Sequence, residues 1–155
     1  MNCFIPTSHI TTIRRGGSPY GEVVGSFEMG IATKKSAVTM AGRERLMDVV
    51  LNKAGNKANR VWQWKWHNNR ELHLSWHCDS PVKYCYLAAQ AGTPNASLLA
   101  SFTPQPLAPR ADGLPSPPSS LKVFPDGQWL FDDIVISTLI LERKRLTPDP
   151  RRLFN

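Results

Sequence analysis

Four side chains near the middle of this sequence have the chemistry of metal ligands or nucleophiles: His73, His77, Cys78 and Cys85. Their spacing argues against a metal. His73 and His77 fall on one face of an alternating stretch, about 13 Å apart at the rise of a strand, too far to share one ion that each must approach to about 2 Å. Cys78 alternates to the face opposite His77, so the two do not form a nucleophile and its base. Gly16-Gly17 is too short to be a phosphate-binding loop. Asp132 and Asp133 form a carboxylate pair, but acidic residues at that point suit the positive end of a helix that follows them. The sequence therefore assigns no catalytic residue, no metal and no cofactor, and leans toward a binding protein rather than an enzyme.

What remains is positive charge. The chain holds 19 Lys and Arg against 12 Asp and Glu, a formal net charge of +7. The excess is uneven: residues 1–70 carry 11 basic and 4 acidic side chains, residues 71–155 carry 8 and 8. A basic half suits an anionic partner. Arg14, Arg15, Lys34, Lys35, Arg43 and Arg45 are the candidates for a rim that attracts anionic phospholipid or phosphoinositide, at about 1 kcal/mol per basic residue near a membrane. The same residues also fit solvated loop charges. There is no dense Lys/Arg block, so nucleic acid is not an expected partner. Trp62, Trp64 and Trp66 have faces on which bases stack, but their alternation with Gln63 and Lys65 fits core packing.

Strand patterns dominate the elements that must carry these groups. Residues 11–14, 21–29 and 37–40 read as short strands, with Gly25 as a bulge. Residues 43–51 place Leu46, Met47, Val50 and Leu51 at helical spacing and read as a short amphipathic helix or a helical turn. Residues 61–66 and 71–78 alternate in phase across the polar turn 67–70, which predicts a β-hairpin with Trp62, Trp64 and Trp66 on one face and Leu72, Leu74, Trp76 and Cys78 on one face of its partner. Residues 82–89, 97–103 and 121–124 add strands. Pro125-Asp126-Gly127 is turn chemistry, with a strand returning at 128–131. Between Pro104 and Ser120 lie six prolines without periodicity. These residues, 104–120, read as a flexible, polyproline-like insertion that offers a ligand for an aromatic-grooved protein partner.

The stretch 129–145 organises the rest. Asp132 and Asp133 stand at its front and Arg143, Lys144 and Arg145 at its back, a polarity that suits a helix dipole. Ile134, Val135, Ile136, Thr138, Leu139, Ile140 and Leu141 make it apolar almost all round, which predicts burial on every side. Its β-branched residues also fit a buried strand, and length and charged ends favour the helix. It is far shorter than the roughly 20 residues of a membrane span. A helix of this kind needs cover on all sides, and a sheet wrapped around it supplies that cover. The expectation is one mainly β domain over 1–155, with its core at about 11–145: an antiparallel β-barrel around a buried C-terminal helix, one short extra helix, and a basic tail at 146–155. Cys3, Cys78 and Cys85 make an odd count without disulfide-like spacing, and residues 1–15 lack a signal-peptide core. Both point to an intracellular, cytoplasmic protein.

Several of these segments together resemble an uncharacterised family of small fungal proteins, mainly of basidiomycetes. They are the tryptophan hairpin, Val23-Val24-Gly25, Gly42-Arg43-Glu44, Pro125-Asp126-Gly127, and the run from Asp132-Asp133-Ile134-Val135 to Leu141-Glu142-Arg143. That family is similar in turn to the Tubby, LURP-one-related and phospholipid scramblase-like superfamily. The resemblance implies a β-barrel around a C-terminal helix and contact with anionic lipid; it carries over no individual site residue.

Overall fold

A computed structural model of the chain describes residues 10–30, 35–56 and 58–147. The chain divides into two compact units, 1–50 and 51–155. Lys34 and residues 148–155 of the basic tail lie outside the described residues.

The first unit is a four-stranded antiparallel meander: β1 (Ile10–Arg14), β2 (Val23–Glu28), β3 (Ala37–Met40) and β4 (Arg43–Leu46), in that order. Register places Gly25 opposite Met40 and Phe27 opposite Val38. Period-2 alternation thus puts the buried Phe27, Val38 and Met40 on one face. The register passes from Ile13–Gly25 to Arg14–Val23, so the bulge falls on β2, with Val24, next to the expected Gly25, as its extra residue. Of the helix or helical turn expected at 43–51, the structure forms the turn, α1 (Met47–Val50), between strand β4 and the start of the next strand. Ala41 at φ +49° and Gly42 at φ +71° form a two-residue hairpin turn that binds Arg43 back onto Met40. Two positive-φ residues suit the right-handed twist of a hairpin, so the ladder wins over a helical spacing of only four apolar residues.

The second unit is a six-stranded antiparallel meander with a helix laid on it. Its strands are β5 (Leu51–Ala54), β6 (Val61–Trp64), β7 (Leu74–His77), β8 (Lys83–Leu87), β9 (Ala100–Thr103) and β10 (Ser120–Val123), each paired with the next. The tryptophan hairpin forms as the alternation predicts, with Trp62 opposite Trp76 and Trp64 opposite Leu74. The polar turn between its strands contains a single 3-10 turn, Arg70–Leu72, capped by the Asn69 side chain. The register chain Lys53–Trp62–Trp76–Cys85–Ala100–Val123 runs across all six strands on one face. Trp64, Leu74, Trp76, Cys85, Leu99 and Ala100 are fully or almost fully buried.

After β10 the expected turn and returning strand are a 3-10 helix, Pro125–Leu130, which leads into α2 (Phe131–Leu146). Gly127 sits there because a Cβ would lie 2.3 Å from the Leu99 carbonyl oxygen, a distance no side chain tolerates.

α2 is held to the sheet by two indoles. Trp64 Nε1 donates to Asp133 Oδ1 and Trp76 Nε1 to Ser137 Oγ, each at 2.9 Å. The bond to Asp133 adds a role to the helix N-terminus that sequence alone assigned to it. Ser137 Oγ and Thr138 Oγ1 donate in turn to the Ile134 carbonyl. Every buried side-chain nitrogen and oxygen among the described residues has a partner.

The helix is buried on one side only. Asp133, Ile134, Ile136, Ser137, Thr138 and Ile140 are buried; Val135 and Leu141 are half-buried. Leu139 is 39 % exposed and Phe131 43 %. This corrects the expectation of a helix enclosed all round. At 3.6 residues per turn, 131, 135 and 139 fall on the face opposite 133, 137 and 140, and the indole bonds fix which face turns inward. Among the described residues the strands form two open sheets of four and six strands, and neither closes into a barrel.

The two helix faces give opposite mutational outcomes. Ile136→Asp places an unpaired charge in the core and abolishes soluble folding. Leu139→Asp keeps a native circular dichroism spectrum and costs about 1 kcal/mol or less in chemical denaturation. Loss of folding in Leu139→Asp would contradict the one-sided burial.

Candidate anion-binding site

The indole bonds also decide where the basic end of α2 lands. Asp133 and Ser137 are one turn apart. Lys144 and Arg145 follow two turns later, over the end of the sheet where β5, β6 and β7 present Lys53, Arg60, Trp62 and Cys78. By alternation Lys53 and Trp62 share the helix-covered face, and so do Lys83 and Cys85.

The result is a cavity of about 590 Å³ between sheet and helix. That volume lies within the range of small-molecule sites. Five cations line it: Lys53 from β5, Arg60 ahead of β6, Lys83 from β8, and Lys144 and Arg145 from α2. Trp62, Leu141 and Cys78 supply the apolar walls, and among the described residues no carboxylate lines the cavity. Glu142 stands beside it, held in a bidentate pair with Arg145 at 2.7 and 2.6 Å. That pairing raises the Arg145 pKa further above its ordinary value. Lys144 Nζ sits 5.5 Å from the centre of the Trp62 ring, in cation–π range, and occupies one face of it.

A second, narrow seam shares Lys83 and Leu141 with this cavity and continues between Trp76, Phe102 and Thr138. Its volume is about 10 Å³, room for at most one water. An alkyl chain does not enter there.

Cys78 opens on the cavity. Burial is the largest influence on it and pushes the thiol above its ordinary value; Lys83 and Arg60 pull it down, and the neighbouring Asp79 carboxylate adds to the rise. The thiol is therefore protonated at neutral pH and is a poor nucleophile. Among the described residues no group of three or more His, Cys, Asp and Glu is placed to hold a metal ion. His77 stands against the Tyr86 ring and 3.3 Å from Ser75 Oγ, and His73 Nε2 bonds the His67 carbonyl. His67 Nε2 reaches both oxygens of Asp133, at 3.1 and 3.2 Å. The carboxylate thus ties the turn after β6, as well as the Trp64 indole, to the helix.

The basic residues singled out from sequence are placed elsewhere. Arg14 ends β1 and bonds the Gly21 carbonyl, and Arg15 pairs with Glu22 at 3.5 Å. Arg43 and Arg45 lie on β4. β1 and β4 are the opposite edges of the first sheet, three strand spacings or about 14 Å apart, so this sheet does not gather the two pairs. Lys35 is exposed, just ahead of β3. The cations that do converge come from separate stretches between 53 and 145. No local motif marks them. The signal that could have found Lys53 and Lys83 is parity: each occupies an inward position of a strand where alternation calls for an apolar side chain.

With that geometry in place, comparison with known proteins identifies the family. The chain belongs to DUF6593, a family of unknown function. The match covers residues 4–147 and so takes in both sheets and α2. No curated protein and no solved structure matches the chain. Among the described residues of this DUF6593 member, no helix is long and apolar enough to cross a membrane.

The buried thiol of Cys85, opposite Trp76 in the sheet, yields a pH prediction. Burial raises its pKa well above the ordinary value near 9. Below that value folded and unfolded states both keep the proton, and the thiol adds no pH dependence. Above it the unfolded thiol ionises first, so stability falls as pH rises. Urea denaturation should therefore show a smaller loss of stability between pH 8 and 10.5 in Cys85→Ala than in the unsubstituted protein. Equal losses would contradict the assignment.

Proposed function

We propose that this protein is a non-enzymatic binding module whose cavity takes the phosphate of an anionic phospholipid head group. The observation that carries the reading is the convergence of Lys53, Arg60, Lys83, Lys144 and Arg145 on one cavity that no carboxylate lines among the described residues. Like charges brought together raise the energy of the empty site, and an anion between them relieves it. The seam behind the cavity is too narrow for an acyl chain, which favours a head group entering while its chains stay in the bilayer. Lys144 already covers one face of Trp62, which disfavours a stacked base and hence nucleic acid.

The lipid site is thus proposed for the second unit, with Arg14, Arg15, Lys35, Arg43 and Arg45 as a diffuse positive field. The Tubby-like assignment of the fold belongs to the same proposal. Its support is a mainly β chain of antiparallel strands with a C-terminal helix whose buried stripe lies on a sheet. A reducing, cytoplasmic setting is proposed on the strength of Cys78 and Cys85, which are both free thiols.

A second reading is a protein-interaction domain that uses residues 104–120. It is favoured by the exposure of that segment, including Leu107 and Leu114. Deleting residues 106–118 would then abolish partner capture without touching lipid binding.

Vesicle co-sedimentation tests the first reading. Phosphatidylserine vesicles should bind the protein at low salt and release it at high salt, and phosphatidylcholine vesicles should not bind. The double variant Lys83→Glu/Lys144→Glu should lose at least ten-fold in affinity, and Arg14→Glu/Arg43→Glu much less. Pyrophosphate in solution should compete for the site. Its failure to compete, with vesicle binding intact, would place the lipid contact outside the cavity.

A further inference from the structure

Arg145 belongs to two structures at once. It lines the basic cavity, and its Nη2 also donates to the backbone carbonyl of Gln105 at 2.9 Å. Gln105 opens the proline-rich strap, residues 105–119, that leaves β9 and returns as β10. Its own N–H donates to Ser119 Oγ at 2.9 Å. The neck of the strap is therefore held by two bonds beyond the β9–β10 ladder, one to Ser119 within the strap and one to the cavity wall. Pro104 and Pro106 flank Gln105 and have no N–H with which to re-anchor the neck. Further out the strap turns at 110–113, where the Gly113 N–H meets the Arg110 carbonyl and Asp112 pairs with Arg110.

We propose that an anion seated in the cavity draws Arg145 off Gln105 and so opens the neck of the strap. The coupling rests on the cavity being the anion site proposed above. Its direction follows from the unequal strength of the Arg145 bonds. The guanidinium lends its charge to all three, but the two to Glu142 form a bidentate pair with an anionic acceptor, whereas the one to Gln105 goes to a neutral carbonyl and is the weakest. A phosphate competing for the guanidinium displaces the weaker acceptor first. The released carbonyl belongs to an exposed residue and turns to water, so its loss from Arg145 leaves no buried group unpaired. Occupancy of the cavity thereby becomes readable on a surface segment whose polyproline-like sequence suits a protein partner.

The test is trypsin cleavage of the Arg110–Ala111 bond in the full chain, followed by mass spectrometry. It is run with pyrophosphate or with chloride at matched ionic strength, and binding is measured on the same samples by calorimetry. Saturating pyrophosphate should speed this cut several-fold. In Arg145→Gln the cut should already be fast and insensitive to pyrophosphate. In Ser119→Ala the neck hangs on Arg145 alone, so the acceleration should exceed that of the unsubstituted protein. Pyrophosphate that binds without speeding the cut, or an equal or smaller acceleration in Ser119→Ala, overturns the coupling and leaves the cavity reading standing. A lack of pyrophosphate binding overturns both.

Discussion

An apolar stripe on a helix does not say where along a sheet the helix must rest, because hydrophobic burial has no direction. In the second unit that choice is made by two hydrogen bonds. Trp64 and Trp76 bury their indoles under α2, and a buried N–H left without an acceptor costs about 1–3 kcal/mol. Asp133 and Ser137, one turn apart, are the acceptors. They fix the rotation of the helix as well as its position, which is why Leu139 faces outward though it sits in the middle of the most apolar run of the chain. They also fix the position of Lys144 over Trp62, and with it the far wall of the basic cavity.

The second unit therefore couples a well-satisfied half to a charged half. Toward the N-terminal end of α2, Asp133 ties together Trp64 and His67, and Trp64 and Trp66 lie parallel with ring centres 6.4 Å apart. Toward the C-terminal end, apolar packing gives way to cations drawn from strands and helix. Alternation along β5 and β8 would place apolar residues at 53 and 83. Lysines there forgo burial energy, and such departures from local consistency mark functional positions more often than structural ones.

Much of the second unit was legible in the sequence. The tryptophan hairpin follows from period-2 alternation, and its observed register pairs the residues that alternation put on one face. The extent of α2 follows from Asp132 and Asp133 at one end and Arg143 to Arg145 at the other. What was not legible has physical causes. An all-apolar run has no preferred face, so the exposure of Leu139 depends on partners 60 or more residues away. Residues 43–51 show helical spacing, yet the turn at Ala41-Gly42 makes 43–46 a strand. The described strands make two antiparallel sheets of four and six strands, and no closed barrel is formed among them. The candidate site was the least legible part. Its cations come from separate elements that only the fold brings together, whereas Arg14-Arg15, which stand out as neighbours in sequence, belong to the first unit.

The most direct test of the central claim, that the cavity under the C-terminal end of α2 is the anion site, is a proton–nitrogen correlation NMR titration with pyrophosphate. Shifts should be concentrated in the amides of Lys53, Arg60, Cys78, Lys83 and residues 141–145, together with the indole N–H of Trp62. The indole signals of Trp64 and Trp76, bonded to Asp133 and Ser137, should stay in place. Shifts confined to β1 and β4, or none at all, would contradict that claim.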